Sequence, residues 1–309
     1  MQLNIRRAIF VVIAIFCLFP VIDPPIALLT GIVLSQLMGH PFERHNHKAI
    51  SLLLKLSVIG LGFGMNAFEA AKAGKQGLLF TVASITLTFF AGLAFSKLIA
   101  VNKKTAILVT TGTAICGGSA IAAVAPVIEA KESEISVSLA TIFILNSIAL
   151  LTFPFIGNIL HLSQSQFGMW AAIAIHDTSS VVGAAHKFGA DALQVATTVK
   201  LERALWIIPV TFMFAMIFKS RKNKIRIPYF IFFFILAMLI NTFLPQLQTI
   251  DSYIVFAAKR GLTLTLFLIG AGITRSALKT VSFRPMLLGV ILWVLISLSS
   301  LYVILHILG

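Results

Sequence analysis

Charge is scarce in this chain. Lys, Arg, Asp and Glu make up 11% of its 309 residues, against about 25% in a soluble globular domain. Only ten residues are acidic, and no polar stretch is long enough for a soluble domain. Cysteine occurs twice, at Cys17 and Cys116, both inside apolar segments. That leaves no disulfide framework, no CxxC pair and no Cys/His spacing for zinc. The GxxxxGK[ST] phosphate loop is missing as well, so any driven process draws on a gradient or on a separate subunit. No metal and no organic cofactor is implied. An A-x-A cleavage site does not follow the first apolar segment, so Arg6, Arg7 and the run behind them read as a retained helix rather than a signal peptide.

What remains is hydrocarbon. The chain is 59% hydrophobic, with a mean hydropathy of +1.01. The stretches 105–128 and 285–309 carry no charge at all, and each exceeds the ~20 residues that span a bilayer core. This is the composition of an all-α polytopic membrane protein. The formal charge of +14 would suggest nucleic acid in a soluble chain. Here it follows from the Lys and Arg of cytoplasmic loops, and no nucleic-acid partner is expected.

Hydropathy and turn residues mark eleven segments: 8–22, 25–39, 50–70, 74–99, 105–128, 134–160, 166–188, 192–218, 228–246, 251–277 and 283–308. With the N-terminus inside and sides alternating, the inside loops collect Arg6, Arg7, Arg44, Lys48, Lys103, Lys104, Lys219, Arg221, Lys222, Lys224, Arg226, Arg275, Lys279 and Arg284. The outside loops hold Lys72, Lys75, Lys131 and Lys187. The imbalance fits the positive-inside rule with the C-terminus outside, and omitting one central span would spoil it. The expected organisation is one transmembrane domain, 1–309: an extra N-terminal helix in 1–24 and two five-helix halves, 25–160 and 161–309. An odd number of spans per half makes the halves inverted repeats. The fourth helices of the halves, 105–128 and 251–277, then correspond, and both carry glycine interruptions, at Gly117-Gly118 and at Gly261 with Gly270-Ala-Gly272.

Two apolar spans are interrupted near their middles. One reads Thr-Gly-Thr-Ala-Ile-Cys-Gly-Gly-Ser-Ala from Thr111 to Ala120; the other reads Ile-His-Asp-Thr-Ser-Ser-Val-Val-Gly from Ile175 to Gly183. Opened backbone at membrane depth is tolerated where protein buries it or a watery cavity receives it. Paired broken helices point to a transporter binding site. Cys116, Gly117, Gly118 and Ser119 therefore form one candidate site, with Ser119 placed to cap a half-helix whose free N–H groups favour an anion. Close packing of small residues explains the same glycines without a ligand. Thr178, Ser179 and Ser180 form the second cap. Asp177 is read as the only carboxylate near the centre of a span, and intramembrane ionisable groups are functional candidates by default. With His176 it is a candidate for coupling to a proton or sodium ion, against the plainer role of holding the break. Lys200 and Arg203, and more weakly Lys259 and Arg260, either snorkel to an interface or face a pathway and attract an anion. Asn66 and Asn146 are read as amides bonding between helices.

The runs Gly112 to Ala123, His176 to Ala184, and Val199-Lys-Leu-x-Arg203 resemble, in that order, the YeiH-type bacterial inner-membrane family. That family carries the label of sulfate exporter and is similar to the bile-acid, arsenite and riboflavin transporter superfamily, built from two inverted five-helix repeats with crossing discontinuous helices. The resemblance implies secondary transport of a small anion of the sulfate, sulfite or sulfonate class. It carries over to Cys116, Gly117, Gly118, Ser119, His176, Asp177, Lys200 and Arg203, and it allows a homodimer. One departure is Glu202, where a small polar residue such as threonine is expected; a carboxylate there weakens anion attraction by its neighbours. The alternatives are a cation/proton antiporter exchanging at Asp177 and an anion channel. An enzyme built on Cys116, His176 and Asp177 is disfavoured, because adjacent residues on a helix point about 100° apart.

Overall fold

The computed structural model describes residues 3–218, 229–244, 248–273 and 282–307. The basic run 219–226, Arg275 and Lys279 lie outside them. The described residues are helical, with no strand among them. In chain order the helices are α1 Leu3–Phe16, α2 Pro24–Met38, α3 Glu43–Gly62, α4 Ala67–Leu98, α5 Lys103–Ala114, α6 Gly118–Val124, α7 Glu132–Ile159, α8 Gln164–Ala174, α9 Thr178–Phe188, α10 Ala190–Leu205, α11 Ile207–Ile217, α12 Phe230–Phe243, α13 Gln248–Gly272 and α14 Phe283–Ile307.

Four helical stretches among the described residues are long and apolar enough to cross a membrane unaided: Gly77–Leu98, Glu132–Ile159, Asp251–Gly272 and Phe283–His306. Their outer faces expose large apolar side chains such as Leu79, Phe90 and Leu98 on α4 and Phe155 on α7. A water-soluble protein rarely exposes apolar surface on that scale. α2 and α12 are shorter apolar helices, and three segments are divided into pairs of short helices: α5 with α6, α8 with α9, and α10 with α11. Asn66 serves as a helix cap and not as the expected bond between helices. The helix before it ends at Gly62, and Asn66 caps α4 by accepting from the N–H groups of Phe68 and Glu69.

The 251–277 segment departs from expectation. α13 runs unbroken through Gly261 and Gly270 to Gly272, so the glycines do not open it. They let other helices approach. A methyl group on Gly270 would strike the backbone carbonyl of Leu28 on α2, and one on Gly31 of α2 would strike that of Phe267 on α13. Glycine here is a packing device, as small residues are between membrane helices generally. α13 packs on α2 and α3, and α12 packs on α3. Arg260 of α13 donates to the carbonyls of Phe19 and Ile22, holding the turn after α1.

The deepest core surrounds α8 and α9, whose residues from Phe167 to Ala185 are all buried. The Trp170 ring stacks on Phe153 with centroids 4.2 Å apart and donates its indole N–H to the Ser297 carbonyl of α14. α10 lies against both α8 and α9, with α4 on another side.

Candidate functional site

The two interrupted segments meet at their breaks. α5 ends at Ala114, and the chain turns through Gly117 at φ +66° and ψ −127° before α6 begins. An L side chain is strained there. A methyl group on Gly117 would also lie 3.2 Å from Asp177 Cβ. Asp177, in turn, sits in the extended link between α8 and α9. The breaks are thus in direct contact, and a side chain at Gly117 would crowd the aspartate on the other side.

Asp177 caps α9. Its carboxylate accepts from the backbone N–H of Ser180 at 2.6 Å and from the hydroxyls of Ser179 and Ser180 at 2.9 and 3.1 Å. The Asn146 amide of α7 donates to it at 2.5 Å. Four donors fill the roughly four lone-pair sites of a carboxylate. Asn146 is a bridge, as read from the sequence: its Oδ1 accepts from the His176 backbone N–H at 3.0 Å. That second bond fixes the orientation of the amide, so its NH2 must face Asp177.

The opposite helix ends carry the cations. Lys200 and Arg203 are fully buried, neither snorkelling nor open to a pathway. Lys200 Nζ donates to the carbonyls of Ile175 at 2.7 Å and Ala172 at 3.2 Å, where α8 stops. Arg203 Nε donates to the Ala114 carbonyl at 2.7 Å, where α5 stops, and its Nη1 to Ser84 Oγ of α4 at 2.6 Å. Helix C-termini carry partial negative charge and N-termini partial positive charge. Each of these three buried charges is therefore set against a helix end of opposite sign. One helix, α10, supplies the cation for both breaks.

Some polar atoms here have no partner. Both ring nitrogens of His176, Arg203 Nη2 and the hydroxyls of Thr111, Thr113 and Thr197 are buried and unbonded. Cys116 is a free, buried thiol. Thr178 is buried, Gly118 is half-buried, and Ser119 lies at the surface. The expected donors are therefore brought together only in part: Ser179 and Ser180 turn their hydroxyls to Asp177, and Ser119 points away from the buried cluster. Ser84 was not legible as a site residue, since a serine in an apolar helix gives no signal of its own. Among the described residues no group of three or more His, Cys, Asp or Glu side chains is placed to hold a metal ion.

A family model described as "Conserved hypothetical protein 698" matches residues 9–289. A UPF0324 membrane protein of Photobacterium profundum is 49% identical over 307 residues, covering 99% of this chain and 94% of that protein. One of Bacteroides thetaiotaomicron is 52% identical over 285 residues, covering 91% and 86%. One of Geobacter sulfurreducens is 45% identical over 298 residues, covering 96% of each. No solved structure matches the chain. The family match is consistent with the YeiH-type resemblance, and with 281 of 309 residues inside it and relatives near half identity along their length, the chain belongs to the UPF0324 family of membrane proteins.

Proposed function

We infer that this protein is a secondary transporter that moves a small anion across the bacterial inner membrane by alternating access around the crossing of α5/α6 with α8/α9. The observation that carries the reading is the contact of two broken helices at Gly117 and Asp177, with their freed ends matched by buried charge. Broken helices meeting in this way are the usual frame of a transporter site. Buried charge favours an anion as cargo. Lys200 and Arg203 outweigh Asp177 alone in the cluster, and Arg203 Nη2 is an unused donor. The antiporter alternative needs Asp177 to release its partners to a cation, and four donors already occupy it. Eleven spans with the N-terminus cytoplasmic, the C-terminus on the opposite face, and two inverted halves belong to the same reading. So do a sulfate, sulfite or small sulfonate substrate, a coupling ion and a homodimer.

Flux of sulfite, sulfate and small sulfonates into proteoliposomes tests it. Saturable flux that responds to a proton or sodium gradient is expected. No flux of any of these anions under either gradient refutes the reading, and single-channel currents far above carrier rates would replace it with a channel.

A further inference from the structure

Two carboxylates lie along the membrane segments near the crossing, and they are treated in opposite ways. Asp177 has its oxygens filled by donors. Glu202, on α10, has none: Oε1 and Oε2 are both buried and both unbonded. Its stem is half-exposed, yet the carboxyl group turns inward to a groove on α4. Gly77 and Gly74 form that groove, since a methyl group on either would come within 3.3 and 3.9 Å of Oε2. Larger residues there would fill the space the carboxyl group occupies.

The groove is one rung of a polar seam between α4 and α10. At its surface end, Gln194 Nε2 donates to Glu69 Oε2 at 2.8 Å. Thr198 follows one turn further along α10, with its hydroxyl unbonded, and Glu202 one turn after that. Beyond lie Thr81, also unbonded, and the Ser84–Arg203 hydrogen bond that belongs to the crossing. The other charged groups around Glu202 are accounted for. Lys200 is spent on α8 carbonyls; Glu69 of α4 and Asp191 of α10 are exposed at the surface end, and Lys72, Lys75 and Lys97, further along α4, are exposed as well. α8 and α11 carry no titratable side chain, and His186 and Lys187 of α9 lie beside the far end of α10, about 18 Å along the helix.

A naked carboxylate buried without partners costs far more than a neutral acid, and a bound proton removes that cost. We propose that Glu202 is the proton-binding site that couples the transport cycle, taking a proton through the α4–α10 seam from the Glu69–Gln194 end and releasing it when the crossing moves against the surrounding helices. The coupling ion is then H+, carried by Glu202 and not by Asp177. The released carboxylate has an available partner in Arg203, whose Nη2 is unused. This assignment rests on the transport reading above, but its first test does not.

Infrared spectra of the purified protein at neutral pH should show a carboxylic-acid C=O stretch that Glu202→Gln and Glu202→Thr abolish and that Asp177→Asn leaves in place. A native protein without that band, or a band that survives both Glu202 substitutions, overturns the proposal whether or not any anion is transported. In proteoliposomes, a pH gradient should drive anion accumulation by the native protein and not by Glu202→Gln. Equal accumulation by the two overturns the proposal and leaves the transport reading standing. Absence of flux in the native protein removes the transport reading, and the infrared result still decides where the proton sits.

Discussion

Exchanging the partners of one buried hydrogen bond tests the geometry of the crossing. In Asp177→Asn, the new side chain keeps its oxygen on the Ser180 N–H, since turning the amide would set NH2 against N–H. Its NH2 then replaces Oδ2 and faces the NH2 of Asn146, which cannot turn because its Oδ1 holds the His176 N–H. One hydrogen bond to a charged group is lost, at about 1.5–3 kcal/mol, and one buried donor is orphaned, at about 1–3 kcal/mol. The expected loss of stability is roughly 3–5 kcal/mol. Asn146→Asp alone should be at least as harmful, because it sets two carboxylates face to face. The double exchange restores donor to acceptor: an aspartate at 146 accepts from both His176 N–H and the asparagine at 177. It should recover at least ~2 kcal/mol relative to the sum of the single changes. Equilibrium unfolding in mixed detergent micelles measures all four proteins. A double variant no more stable than additivity allows would refute the fixed Asn146 bridge.

Lys200→Met leaves the Ala172 and Ile175 carbonyls without a donor and should cost about 2–4 kcal/mol, each unmet acceptor contributing ~1–3; the same unfolding experiment reads it, and a neutral result removes the capping role. Gly117→Ala forces a side chain into the positive-φ turn and should cost about 1–3 kcal/mol from backbone strain, with added crowding against Asp177. An unchanged unfolding midpoint would mean that the link has room the structure does not show. Gly270→Ala installs the best helix former yet should destabilise by about 1–3 kcal/mol through overpacking against α2, whereas a gain in stability would show that α2 and α13 do not touch there.

The breaks were legible because glycine pairs and a lone Asp stand out against apolar sequence, and the structure opens its helices at those places. The segment boundaries followed from the same hydropathy, apart from ends such as Asn66, where a polar residue inside a run and one capping the next helix look alike. The glycines of 251–277 misled for a different reason. Glycine either opens a helix or lets a neighbour approach, and the deciding partner, Gly31, lies more than two hundred residues away. The same distance problem hid the use of the cations. Lys200 and Arg203 were read as snorkelling or as facing a pathway, and their burial was missed because their carbonyl partners stand 25 to 89 residues earlier in the chain. A periodic pattern does not say which helix end will arrive beside them.

Lys200 and Arg203 stand three residues apart, about 4.5 Å along α10, and each is fastened to a different broken helix. α10 is therefore a crossbar pinned to α8 at one point and to α5 at the next. Sliding α5 against α8 would tear out one of the pins, at about 1.5–3 kcal/mol for each bond to a charged group. The three helices are cheapest to move as one carriage. α2 and α13 pack on α9 and not on this carriage, and among the described residues no pin of this kind joins either to the breaks, so relative displacement is cheapest there.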